Sequence, residues 1–220
     1  MFGGMDLKLV WKGRYKDVSQ LEKGVLPENA VKFKEPDTPV KVNLVASLYI
    51  IPIFIFAAAL ILIKKSVVGY DVITSFSLTG FIVAILTIVP HELLHAVCFP
   101  KNAEVYVYYS IKNLMVFVTS VSPVSKARFI FLSLCPSLVF GFLPLAVWMF
   151  IPAASYASDA LFFFGISSLL LGSGDLMNTK NALFQMPRGS MTQLSGFNSY
   201  WFMPQSSAKP KTEEEQTALR

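Results

Sequence analysis

Charge is scarce in this chain. Of its 220 residues only 15% are Asp, Glu, Lys or Arg, whereas 54% are hydrophobic, and the mean hydropathy is +0.54. A soluble domain of this length needs more polar surface to cover itself, so the excess apolar side chains must face lipid. Cysteine is nearly missing. Cys98 and Cys135 both lie in or beside apolar segments, which argues against a disulfide framework and for two thiols acting as small hydrophobes. No run of basic residues is interleaved with aromatics, so the formal charge of +5 does not argue for nucleic acid. Lys and Arg sit instead beside the apolar stretches, where they set topology and meet anionic headgroups. No internal repeat is visible. A cleavable signal peptide is not expected, because the first apolar run starts after about forty polar residues.

What is present is long apolar segments, at about residues 43–63, 72–99, 127–151 and 157–177. Each is long enough to cross a hydrocarbon core of roughly 30 Å as a helix rising about 1.5 Å per residue. Between the second and third, residues 104–109 and 114–118 are β-branched and aromatic with Lys112 and Asn113 between them, the pattern of a hairpin. The expected fold is therefore an all-α membrane protein of about four transmembrane helices, with a β-hairpin between the second and third. Residues 6–15 are able to form a short strand. The chain divides into an N-terminal region (1–42), a transmembrane core (43–185), an aromatic segment suited to the headgroup level (186–205) and a charged, disordered tail (206–220).

Orientation follows from counting Lys and Arg. With both termini in the cytoplasm seventeen lie inside and two outside, so the positive-inside rule favours that arrangement. The two exceptions, Lys64 and Lys65, are expected to snorkel at the outer interface.

Histidine occurs only twice, and both copies fall in one motif: His91-Glu92-Leu93-Leu94-His95. Residues four apart on a helix share a face, so the two imidazoles can hold one zinc ion. Zinc brings the pKa of a bound water toward neutrality, and Glu92 takes its proton and passes it to the leaving amine. His and Glu inside a span are costly and functional by default. Catalytic zinc sites use three protein ligands, and Asp175 is the candidate third. It lies fifteen residues past Ala160 and His91 sixteen past Ser75, which puts both roughly 22–24 Å from the outer edge. Gly172 and Gly174 before it permit close backbone approach. Pro90 is expected to kink the second segment, and Asn178 is a candidate to orient Asp175.

HELLH late in one span, a hairpin after it and an Asp in a later span resemble the site-2 protease type of intramembrane zinc protease. More narrowly, residues 45–205 resemble a family of short, mostly bacterial multi-pass membrane zincins with an HELLH-type motif, a Gly-Asp in the last span and an aromatic tail. The resemblance implies His91, His95 and Asp175 as metal ligands, Glu92 as general base, and peptidase chemistry with Zn2+ as cofactor; the expected reaction is hydrolysis of a peptide bond in or near a membrane-spanning segment of a membrane-protein substrate. The chain departs from the site-2 proteases in one place: they carry Leu-Asp-Gly after an Asn-Pro pattern, whereas here Asp175 follows Gly174 and precedes Leu176. Two other readings stay open from the residues, a zinc-binding membrane scaffold without turnover and a small metal or proton transporter. The substrate and the oligomeric state are not encoded in any motif.

Overall fold

The computed structural model describes residues 8–111 and 115–204. Residues 112–114, where the hairpin turn is expected, and the expected tail 206–220 lie outside the described residues.

After strand β1 (Lys8–Arg14) and the short β2 (Val31–Lys32), the chain enters helices α1 (Pro39–Ser47) and α2 (Ile50–Val68). Thr38 caps α1, accepting from the Lys41 N–H, with Pro39 in the first turn where its missing N–H costs nothing. Helices α3 (Leu78–Leu86) and α4 (Ile88–Cys98) follow, then strands β3 (Glu104–Ser110), β4 (Met115–Thr119) and β5 (Val124–Ser125). Helix α5 (Lys126–Pro136) runs through a π-helical stretch (Ser137–Phe142) into α6 (Leu143–Trp148). Helices α7 (Tyr156–Leu171) and α8 (Ser173–Gln185) and the hairpin β6 (Met191–Ser195) with β7 (Asn198–Phe202) complete the fold.

Two helical stretches, Val40–Val68 and Lys126–Trp148, are individually long and apolar enough to cross a membrane. Two bent pairs raise the number to four if each pair is one span: α3 with α4, bent by 41°, and α7 with α8, bent by 56°. The first bend comes at Thr87, one turn ahead of Pro90. That is where a proline acts, because its ring opposes the carbonyl four residues earlier. Only 17% of the apolar window in α1–α2 is buried by protein. Phe54, Ile55 and Leu62 are exposed there, as lipid-facing side chains are.

The inner core is built by Ile53 and Ala57 of α2, Leu145 and Trp148 of α6, and Phe162, Ile166 and Leu169 of α7. Helix α3 packs on α7 so closely that a Cβ on Gly80 would stand 2.3 Å from the Ala160 carbonyl oxygen. Only glycine fits, and between lipid-embedded helices such approach is what holds a pair together. Lys64 does not snorkel. It is 1% exposed, donates to the Trp148 carbonyl at 2.7 Å and lies 3.9 Å from the centre of the indole ring. The last carbonyls of α6 carry the negative end of a helix dipole, which the ammonium satisfies. Lys65 pairs with Asp71.

Strands add more than one hairpin. β3 and β4 pair antiparallel, from Tyr106 opposite Thr119 to Ser110 opposite Met115, as the pattern of residues 104–118 predicts. β1 joins β3 in parallel, giving the order β1-β3-β4, and a second sheet has the order β2-β7-β6-β5. Helices thus make the apolar core, and two small sheets tie the N-terminal segment and the aromatic residues of β7 to it. β3 is thus the central strand of the first sheet, and β1 and β4 are its two edges.

Candidate metal centre

The two histidines lie on α4, just past the Thr87 bend. Their rings are 5.0 Å apart, centre to centre, as side chains one turn apart should be. Across from them the α7–α8 bend at Gly172 starts a new helix, and Asp175 stands in its first turn. The positive end of the α8 dipole favours a carboxylate there. His91 Nε2 lies 3.0 Å from Asp175 Oδ2, and His95 Nε2 lies 3.2 Å from Asp175 Oδ1. The fold thus brings His91, His95 and Asp175, the three candidate ligands of the sequence, to one place. None of the three side chains is more than 15% exposed.

Gly172 makes this convergence possible. A Cβ there would meet Ser137 Oγ at 3.0 Å, His91 Cε1 at 3.3 Å and Asp175 Oδ2 at 3.4 Å, whereas one on Gly174 would meet nothing within 4 Å. Of the two glycines the sequence singles out, the first is the one that permits the approach.

Glu92 faces a different neighbour. Its Oε2 accepts the Val118 N–H of β4 at 2.9 Å, so the β4 edge of the first sheet lies against the HELLH helix. Antiparallel pairing alternates the direction of backbone groups, so Val116, two residues back, presents its N–H and C=O to the same side. His91, Glu92, Val116 and Ser168 line a cavity of about 120 Å³. Among the described residues, the buried side-chain atoms without a hydrogen-bond partner include Ser168 Oγ on this wall and Ser137 Oγ beside Gly172. Neither serine is distinguishable in sequence from the many that pack inside apolar helices. Only their place beside the site separates them.

The other acids are engaged elsewhere. Glu104 pairs with Lys8 and accepts from the Tyr106 hydroxyl, and the lysine beside it holds its carboxyl below the usual range. Asp159 accepts the Ser75 N–H. No hydrogen bond joins Asn178 to Asp175 among the described residues.

Residues 84–191 match the model of a family described as "Putative zincin peptidase". No curated protein and no solved structure matches the chain. The matched stretch runs from α3 to the first residue of β6. It holds the HELLH helix, the hairpin, the α5–α6 helix and Asp175, and so includes every residue of the centre. A zincin match implies zinc, and the donor geometry fits one. His91, Glu92 and His95 offer ligand atoms within 4.8 Å of one another, and Asp175 meets both imidazoles. Zinc–nitrogen bonds of about 2.0–2.1 Å in a tetrahedral site put neighbouring ligand atoms about 3.3 Å apart, close to the spacings between the histidine nitrogens and the Asp175 oxygens. Glu92 is the less suited third donor, because one of its oxygens is already held by β4. A zinc metallopeptidase is the class these observations support.

Proposed function

We propose that the protein is an intramembrane zinc metalloprotease that hydrolyses peptide bonds in or near the membrane-spanning segments of other proteins. The observation that carries this reading is the convergence of His91 and His95 on Asp175, with Glu92 beside them, where two bent candidate spans meet. His91, His95 and Asp175 are the ligands in this reading and Glu92 is the general base. Zinc, when bound, supplies Lewis acidity and lowers the pKa of water to near neutrality. Glu92 takes a proton from water on the carboxylate oxygen that the Val118 N–H leaves free and returns it to the leaving nitrogen. The Val118 N–H fixes the carboxylate for that transfer by holding its other oxygen. Ser168, with a free hydroxyl on the cavity wall, is placed to donate to the carbonyl under attack. Lys and Arg counts support both termini in the cytoplasm with the centre toward that side, and the aromatic β7 at the headgroup level.

A helical substrate is hydrogen-bonded to itself and must unwind before its carbonyls can react. The open edge of β4 offers it N–H and C=O groups in exchange, by strand addition. Val116→Pro removes an outward N–H while leaving the β3–β4 ladder whole. It should raise KM about tenfold, the scale of one lost hydrogen bond to the substrate, with kcat nearly unchanged. Unaltered KM would remove β4 from substrate binding.

The reading as a whole is tested with purified protein and a tagged single-span model substrate in liposomes. Cleavage should stop on treatment with 1,10-phenanthroline and return with added zinc. Cleavage indifferent to chelation would overturn it.

A further inference from the structure

Helix α5 ends on a proline inside a continuous helical path. In a regular helix the N–H of residue 136 would donate to the carbonyl of Leu132, but residue 136 is proline and has none to give. A proline ring inside a helix also crowds the carbonyl four residues earlier. Leu132 is 6% exposed, and an unpaired carbonyl in so apolar a place costs free energy. Another donor meets it: His95 Nδ1 lies 2.7 Å from the Leu132 oxygen. A carbonyl only accepts, so Nδ1 must carry the proton. The lone pair of the neutral ring is then on Nε2, the atom that faces Asp175.

We propose that Pro136 is a positioning residue of the metal centre: by leaving the Leu132 carbonyl without its helical partner, it hands that carbonyl to His95, fixing the imidazole's tautomer and orientation. The helix widens into its π-helical stretch directly after the proline, at Ser137, so the regular ladder is not restored on the far side. Wide turns of this kind are characteristic of functional sites. In a wholly helical α5 the Leu132 carbonyl would be shared with a backbone N–H and directed along the axis, and His95 would lose the group that orders it. Outer partners of this type set metal affinity through ligand orientation and basicity, and their loss typically costs about 10–100-fold. The inference rests on the zinc-binding half of the proposed function and does not require proteolysis.

The test uses the full chain in mild detergent. Zinc affinity is measured by competition with a chelating dye for wild type, Pro136→Ala and Pro144→Ala, and the visible spectrum of the Co2+-loaded forms is recorded. Pro136→Ala should bind zinc about 10–100-fold more weakly and show shifted cobalt bands. Pro144→Ala, a proline loss in the same helical path away from the centre, should match wild type in both. Since the chain has only two histidines, 15N-histidine spectra of the unaltered protein report the His95 tautomer directly, even if Pro136→Ala does not fold. Protonated Nδ1 is expected, and protonated Nε2 would overturn the proposal. Equal zinc affinity and equal cobalt spectra in wild type and Pro136→Ala would also overturn it, leaving the zinc reading intact. A wild type that binds no zinc would sink both.

Discussion

Glu92→Gln should lower the rate of substrate cleavage about 10²–10⁴-fold, the contribution a positioned general base makes, while zinc content stays at the wild-type level. Gln is the same size as Glu, and its carbonyl oxygen can still accept the Val118 N–H that Glu92 accepts at 2.9 Å. The contact between α4 and the edge of β4 therefore survives, and so do the histidines one residue before and three after. What disappears is the ability to take a proton from water at neutral pH. The effect should appear in kcat with little change in KM, because Glu92 contributes to the transition state more than to ground-state binding. The same variant separates the classes of function. A zinc-binding scaffold without turnover would keep its cellular role in Glu92→Gln, whereas a protease would lose it. Full cleavage by the variant would remove Glu92 from the mechanism and leave the HELLH motif as a pair of ligands only.

The features that were legible in the sequence are those that local patterning determines. Apolar run length marks the candidate spans, alternation of Tyr and Val marks the hairpin, and one-turn spacing puts His91 and His95 on one face. Asp175 stands out because acids are rare in apolar segments and because two segments running the same way would put it at the depth of His91. What was not legible depends on partners distant in the chain. β2 and β5 are two residues each, too short for any periodicity, and exist because β7 and β6 lie beside them. β1 reads as a possible strand, but nothing in Lys8–Arg14 says that it will pair with β3 and leave β4 as the opposite edge. Lys64 looks like a snorkelling lysine because its apolar neighbours resemble those of any helix end. Its actual partner, the Trp148 carbonyl, is 84 residues away. The orientation of His95 was equally hidden, since it needs the Leu132 carbonyl and the proline that frees it.

The second large effect concerns metal content and turns on a comparison of two glycines two residues apart. Purified wild type should hold about one zinc per chain, and His95→Ala and Asp175→Ala should each hold almost none, because two remaining ligands do not make a catalytic zinc site. Those losses alone could come from a disturbed fold, so Gly172→Ala and Gly174→Ala are the sharper pair. At position 172 the new methyl falls between Ser137, His91 and Asp175, with contacts of 3.0–3.4 Å to all three. Relief requires moving His91 or Asp175 by a few tenths of an ångström, enough to weaken zinc binding about tenfold through misplaced ligands. At position 174 the methyl meets nothing within 4 Å, and replacing a helical glycine by alanine favours the helix by up to about 1 kcal/mol. Zinc affinity in Gly174→Ala should therefore equal or slightly exceed wild type. If both alanines leave zinc unchanged, the metal is not bound between α4 and the start of α8, and Asp175 is not its third ligand. If both weaken it alike, α8 itself is the sensitive element and the close approach at Gly172 has no special part. Only the asymmetric result, loss at 172 and none at 174, fits a metal held where the two bent helices meet.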